Sequence, residues 1–253
     1  MSARRSPGWV TNQHGAWAML ASPLLLGALA RGLDWVHLPL ALSWFTGYFA
    51  FFAASLWLKS RRRPRFLRPV QVYAAAAAVL GALTAWLAPG LIWAAPAFVL
   101  PLGVGLWAAA HRRERDLLAG LTTVLGSALM TIVAYAAPGA DSLAAGLALD
   151  AAQARRAGLL ALGQLLYFGG TVFYVKSMIR KRGDVHFYWT SIAVHAGATV
   201  LLCWLAPWLA LVFVALTVRA WWVPRRRLSP KQIGIAEIGP TVAVALVSLL
   251  TIG

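Results

Sequence analysis

Apolar stretches separated by short polar connections run along nearly the whole chain, at approximately 15–31, 37–58, 69–88, 91–110, 117–137, 157–179, 188–206, 207–223 and 234–252. A helix that crosses a bilayer needs about 20 mostly apolar residues. Backbone groups in lipid must be satisfied internally, which favours helices over open sheets. The pattern therefore predicts an all-α polytopic membrane protein with nine transmembrane helices, in one integral membrane domain over residues 1–253. Pro89-Gly90 separates the third and fourth stretches, Pro138-Gly139 ends the fifth, and Pro207 marks a tight break between the seventh and eighth. Segment 139–156 (GADSLAAGLALDAAQARR) is too polar and short to span. Its apolar spacing and closing Arg155-Arg156 predict a helix lying along the outer surface.

Charge turns this pattern into a topology. All of the 23 basic residues except Arg31, Arg155 and Arg156 fall at the N-terminus or in every second connection. Basic connections stay on the cytoplasmic side. The N-terminus is thus expected inside and, with an odd number of spans, the C-terminus outside. No short apolar core followed by a small-residue cleavage site is present, so the first helix reads as retained.

Composition adds exclusions. The chain is 60% hydrophobic and 12% charged, against roughly a quarter charged in soluble domains. In a soluble protein the net charge of +16 would suggest nucleic acid. Here the sorted charge accounts for it, together with attraction to anionic headgroups, so membrane lipids and no nucleic acid are the expected partners. The single cysteine, Cys203, permits no internal disulfide and no multi-cysteine metal site.

The polar groups gather in four places. Asn12, Gln13 and His14 stand where the chain enters the first span; they suit a functional site and a helix cap equally. Between Lys59 and Pro69, Arg61, Arg62, Arg63, Arg65 and Arg68 crowd together, stiffened by two prolines. Guanidinium groups bind phosphate oxygens bidentately, although the same residues serve as a topology signal resting on headgroups. At the end of the sixth span, Tyr174 precedes Lys176 and Arg180, which share a helix face. An anion between these like charges would relieve them, as would snorkelling. His186 follows closely. Finally Gln164, His195 and Glu237 lie within or near spans, where ionisable groups default to functional candidates. A neutral backbone-bonded histidine and a helix-start glutamate are the plainer readings. The chain has no P-loop or HExxH motif and no GxSxG elbow. No closely spaced carboxylate pair lies outside Glu114 and Asp116, so Mg²⁺ is not supported. Cofactors are otherwise unspecified.

Asn-Gln-His-Gly-Ala-Trp-Ala-Met at 12–19, Tyr-Val-Lys-Ser-Met-Ile-Arg at 174–180 and His-Ala-Gly-Ala at 195–198 resemble the YwiC-like family of bacterial membrane proteins. The resemblance implies a bacterial cytoplasmic (inner) membrane protein and carries no established activity. A more distant similarity, in topology, is to the UbiA-type prenyltransferase superfamily. Those proteins have nine helices with active-site loops after the second and sixth. Arg65-Phe66-Leu67-Arg68-Pro69 is similar to their basic stretch. Their Asp-rich, Mg²⁺-binding motifs are replaced here by Trp57-Leu58-Lys59-Ser60-Arg61 and Tyr174–Arg180.

The leading expectation is therefore a UbiA-like helical bundle with a basic cytoplasmic-side pocket for an anionic lipid or isoprenoid diphosphate. Arg61, Arg62, Arg65, Arg68, Lys176 and Arg180 would neutralise phosphate where a metal normally would. Asn12, Gln13, Gln164, Tyr174 and Glu237 would complete the polar lining. If there is chemistry, it is an atypical prenyltransferase-like transfer, with His14, His186 or His195 moving protons. A small-solute transporter lined by His195, Gln164 and Glu237, or an accessory subunit binding a membrane partner or haem, are the alternatives.

Overall fold

The computed structural model describes residues 8, 9 and 14–253, with side chains from Trp17 onward in the first helix. Ten α-helices run in chain order: α1 (His14–Arg31), α2 (His37–Lys59), α3 (Leu67–Leu87), α4 (Val99–Ala110), α5 (Leu117–Ala136), α6 (Ala151–Ile179), α7 (Val185–Leu205), α8 (Pro207–Trp222), α9 (Pro230–Ala236) and α10 (Ile238–Thr251). Among the described residues there is no strand. Eight helical segments are long and apolar enough to cross a membrane, and Trp17–Arg31 is a shorter apolar helix.

Two crossings are composite, and proline explains both. The fourth opens with a 3-10 helix over Pro89–Phe98 before α4. Pro96 and Pro101 lack the N–H donors that a regular α-ladder needs. The last is interrupted at Glu237, between α9 and α10. Pro240 has no N–H for the Ala236 carbonyl four residues back, and its ring crowds that oxygen.

α5 is the most enclosed helix, buried along Ala119, Thr122, Val124, Gly126, Ser127, Ala128 and onward to Ala136. Its small side chains let α1 approach closely. A Cβ built on Gly27 would run into the Thr131 carbonyl and lie 3.0 Å from Ala134 and from the Tyr135 backbone. Ser127 donates to the Met19 carbonyl across the same seam. At the far end of that seam, His37 Nε2 donates to the Ala134 carbonyl at 2.8 Å while Nδ1 accepts from Asp34 N–H at 2.9 Å. This pins the start of α2 to α5. Leu24, Ala28, Val36, Leu40, Leu91, Met130 and Val133 pack there into an apolar cluster.

The segment before the sixth span corrects one expectation. Residues 139–156 form no separate surface helix. Turns lead to Asp150, and α6 then runs unbroken from Ala151. The Asp150 carboxylate accepts from Gln153 N–H at 2.8 Å, and the Gln153 side chain accepts from Asp150 N–H. This capping box starts the helix earlier than hydropathy does. Arg155 and Arg156 therefore occupy its first turns. At 29 residues, α6 is roughly 43 Å long, beyond the ~30 Å hydrocarbon core.

The basic connections gather on one face of the bundle. Lys59, at the end of α2, reaches Glu114 in the α4–α5 loop at 3.0 Å. Tyr188 of α7 donates to the Trp221 carbonyl at the end of α8. Helices α2 and α4 close with the same device. Arg62 N–H bonds Trp57 O at 2.8 Å and Arg113 N–H bonds Ala108 O at 2.7 Å, with Arg61, Arg62 and Arg112 left-handed at φ 59°, 59° and 58°. Glycine is the relaxed residue at such a helix end. Arginine holds these positions in spite of the Cβ clash that disfavours them.

Candidate functional site

A cavity of about 820 Å³ lies between α2 and the α1–α5–α6 centre. One ridge of α2 lines it, from Leu40 through Ser43, Trp44, Gly47, Tyr48, Phe51, Phe52, Ser55 and Leu56 to Lys59. These positions recur at three- and four-residue steps, so they form one helical face. The ridge spans roughly 28 Å at 1.5 Å per residue, close to the hydrocarbon thickness. Phe98, Pro101, Gly105, Ala119, Gly126, Met130, Val133 and Val172 complete much of the remaining wall.

Several polar side chains in the walls are tied to backbone. Ser43 donates to Ala77 O at 3.3 Å, Thr123 to Ala119 O at 2.8 Å, and Ser127 to Met19 O. Trp44 Nε1 donates to Leu20 O at 3.0 Å. These donors are committed to backbone and are not free for an anion. Trp17 stacks on Phe45 and meets Phe49 edge-on, bridging α1 to α2 beside the cavity.

The two ends differ. One abuts the apolar cluster, sharing Leu40, Met130 and Val133 with it. The other carries Lys59, Glu114, Arg115 and Arg180 at the exposed basic face. Arg180, just beyond the end of α6, is held below its ordinary pKa by partial desolvation and then by the charge of Arg115. The two guanidinium groups feel one another across this mouth.

Of the residues named from sequence as anion ligands, Arg180 lines the cavity. Lys176 lies one turn earlier on α6 and is half-buried. Arg61, Arg62 and Arg65 are exposed on the α2–α3 connection, and Arg68 is exposed in the first turn of α3. Arg62 sits over the Trp57 ring at 5.7 Å and Arg65 over Phe66 at 4.7 Å. These four do not line the cavity. Lys59 and Arg115, at its mouth, belong to basic loops visible in the sequence, but nothing local marks them as facing inward. His186 is exposed in the first turn of α7. Asn12, Gln13 and the His14 side chain lie outside the described residues.

A second polar cluster sits among α6, α7, α8 and the α9–α10 junction. Arg219 Nη1 donates to Glu237 Oε1 at 2.6 Å, and both side chains are only 14% exposed. Tyr167 and Thr171 hydroxyls donate to Glu237 Oε2 at 3.3 Å. The Arg219 guanidinium lies 4.2 Å over the Tyr174 ring. His195 Nδ1 is 2.7 Å from the Ser191 carbonyl, which fixes it as the donor. Its Nε2 faces Gly170, where an added Cβ would stand 2.9 Å away. The missing Cβ of Gly170 thus makes room for this imidazole and lets α7 close onto bare α6 backbone. Gln164 is fully buried and accepts from Ser22 at 3.0 Å. Gln164, Tyr174, His195 and Glu237 do not line the cavity. Among the described residues, no three His, Cys, Asp or Glu side chains gather as a metal site would require.

Comparison with known proteins gives a consistent picture. A model of the YwiC-like protein family matches residues 10–135. A Bacillus subtilis protein described as uncharacterized protein YwiC is 31% identical over 231 residues, covering 90% of this chain and 92% of that protein. A protein of Haemophilus influenzae, described as uncharacterized, is 29% identical over 248 residues, covering 95% of this chain and 97% of its own length. No solved structure matches the chain.

Proposed function

This chain belongs to the YwiC-like family and carries helices long and apolar enough to cross a membrane, and from that premise we propose that it binds an anionic amphiphile, headgroup at the Arg115–Arg180 mouth and apolar chain along α2. The carrying observation is one cavity with two chemistries: a long apolar body whose hydrogen-bond donors are largely committed, and a cationic rim. Such a space suits a molecule divided the same way, and its volume is toward the upper end of ligand sites, about 300–1,000 Å³. Arginine supplies the planar donors that phosphate oxygens take. Lys176 and the arginines of the α2–α3 connection raise the local positive potential around that rim.

An anionic lipid and an isoprenoid diphosphate are both ligands of this kind. The resemblance to UbiA-type proteins noted in the sequence supports the second, with arginine and lysine standing where those proteins carry acids and Mg²⁺. The sorted basic loops support a mouth on the cytoplasmic side of the inner membrane, an N-terminus inside and a C-terminus outside.

The test is retention of bound lipid through purification, read by mass spectrometry. Wild type should carry an anionic amphiphile. Arg115→Gln/Arg180→Gln should lose it by removing the charge. Gly47→Phe should lose it by filling the body, because the Gly47 position has open space around it. Equal retention by all three proteins would remove the cavity from the function.

A further inference from the structure

Resting on that reading, we infer that the mouth is built for a doubly charged phosphate monoester head rather than a singly charged phosphodiester.

The argument is a charge inventory of the rim. One acid, Glu114, lines the cavity, Asp116 and Asp184 belong to the neighbouring α4–α5 and α6–α7 connections, and each of the three already has a basic partner. Glu114 pairs with Lys59 at 3.0 Å, Asp116 with Arg113 at 2.5 Å, and Asp184 with Lys181 at 3.3 Å. The two remaining cations that line the cavity, Arg115 and Arg180, have no acidic partner within 4.0 Å among the described residues. They approach from different elements, the α4–α5 loop and the end of α6. They also stand close enough for the charge of Arg115 to act on Arg180. Both guanidiniums are exposed at the edge of one apolar space, so their repulsion is screened by solvent, and an anion with two negative charges between them would compensate both. A phosphate monoester carries close to two charges at neutral pH and three acceptor oxygens, enough for both forks. A phosphodiester brings one charge and leaves one guanidinium uncompensated. Lys59 is the reserve cation, already held by Glu114.

The same head chemistry is found on a glycerol lipid and on an isoprenoid monophosphate, and the wall does not discriminate between their chains. The free phosphate ion shares the head but would leave the apolar body unused.

The full chain, purified in detergent, is titrated by calorimetry with dioctanoyl phosphatidic acid, farnesyl phosphate, dioctanoyl phosphatidylglycerol, dioctanoyl phosphatidylcholine and inorganic phosphate. At pH about 8 at least one of the two monoesters should bind tighter than the phosphodiester by at least about tenfold, and whichever binds better identifies the chain. That preference should vanish in Arg115→Gln and in Arg180→Gln. It should also shrink as pH falls below about 6, where the monoester regains its second proton. Phosphatidylglycerol binding as tightly as both monoesters, and more tightly than phosphatidylcholine, would overturn this inference while leaving an anionic-amphiphile site standing. No amphiphile binding above phosphatidylcholine, or inorganic phosphate binding as tightly as the amphiphiles, would overturn the underlying reading itself.

Discussion

The Lys59 ammonium lies 3.0 Å from the Glu114 carboxylate, joining the end of α2 to the loop before α5 at the open end of the cavity. Both side chains are substantially exposed, at 44% and 29%. Solvent screening limits such a pair to about 0–1 kcal/mol of stability. Its larger effect is on the charge seen by a ligand. Glu114→Gln should hardly move the melting temperature, yet it should tighten binding of an anionic amphiphile by releasing Lys59. Lys59→Gln should weaken binding. Paired thermal-shift and calorimetric measurements check both, and a large thermal effect without a binding effect would make the pair purely structural.

The buried pair behaves in the opposite way. Arg219 and Glu237 are each only 14% exposed, and Glu237 also takes hydrogen bonds from Tyr167 and Thr171. Removing one partner leaves an uncompensated buried charge, at a cost of about 3–5 kcal/mol. Arg219→Met and Glu237→Gln should each destabilise strongly, while the double variant should recover much of the loss. Unfolding in mixed micelles measures this, and additive losses would show that the two groups act independently.

The seam between α1 and α5 has no spare room. Gly27→Ala should cost about 1–3 kcal/mol, because its Cβ forces the Thr131 backbone away. Gly47→Ala, whose Cβ meets nothing within 4 Å, is the control and should be nearly neutral. The same unfolding assay ranks them.

The start of α7 should respond to acid. Asp184 accepts from Phe187 N–H at 3.0 Å and pairs with Lys181, which together hold its carboxyl below the usual aspartate range. A depressed carboxyl contributes its stability above the unfolded-state value, and that contribution is lost as pH falls through the lower folded-state value. The melting-temperature gap between wild type and Asp184→Ala should therefore be constant near neutrality and close below about pH 4. A gap that stays constant through that range would remove charge from the explanation.

The spans were readable because hydropathy is a one-dimensional signal, and the break at Pro207 stands where α7 gives way to α8. The start of α6 was written in a different code. Asp150 and Gln153 form a capping box that starts α6 at Ala151, six residues before the apolar stretch expected from residue 157. The interruption at Glu237 depends on Pro240, three residues farther along an otherwise continuous apolar run. The mouth was the least legible part. Lys59, Arg115 and Arg180 come from three connections, and only packing brings them to one opening while turning Arg62 and Arg65 onto neighbouring rings. Composition marks a loop as basic but does not say which of its side chains turns inward.

The apolar cluster at the far end of the slot has a consequence for what meets a molecule entering it. Leu40, Met130 and Val133 are shared by the slot and that cluster, and the His37–Ala134 bond clamps α2 beside them, so water entering from the cationic end would meet apolar side chains at the other.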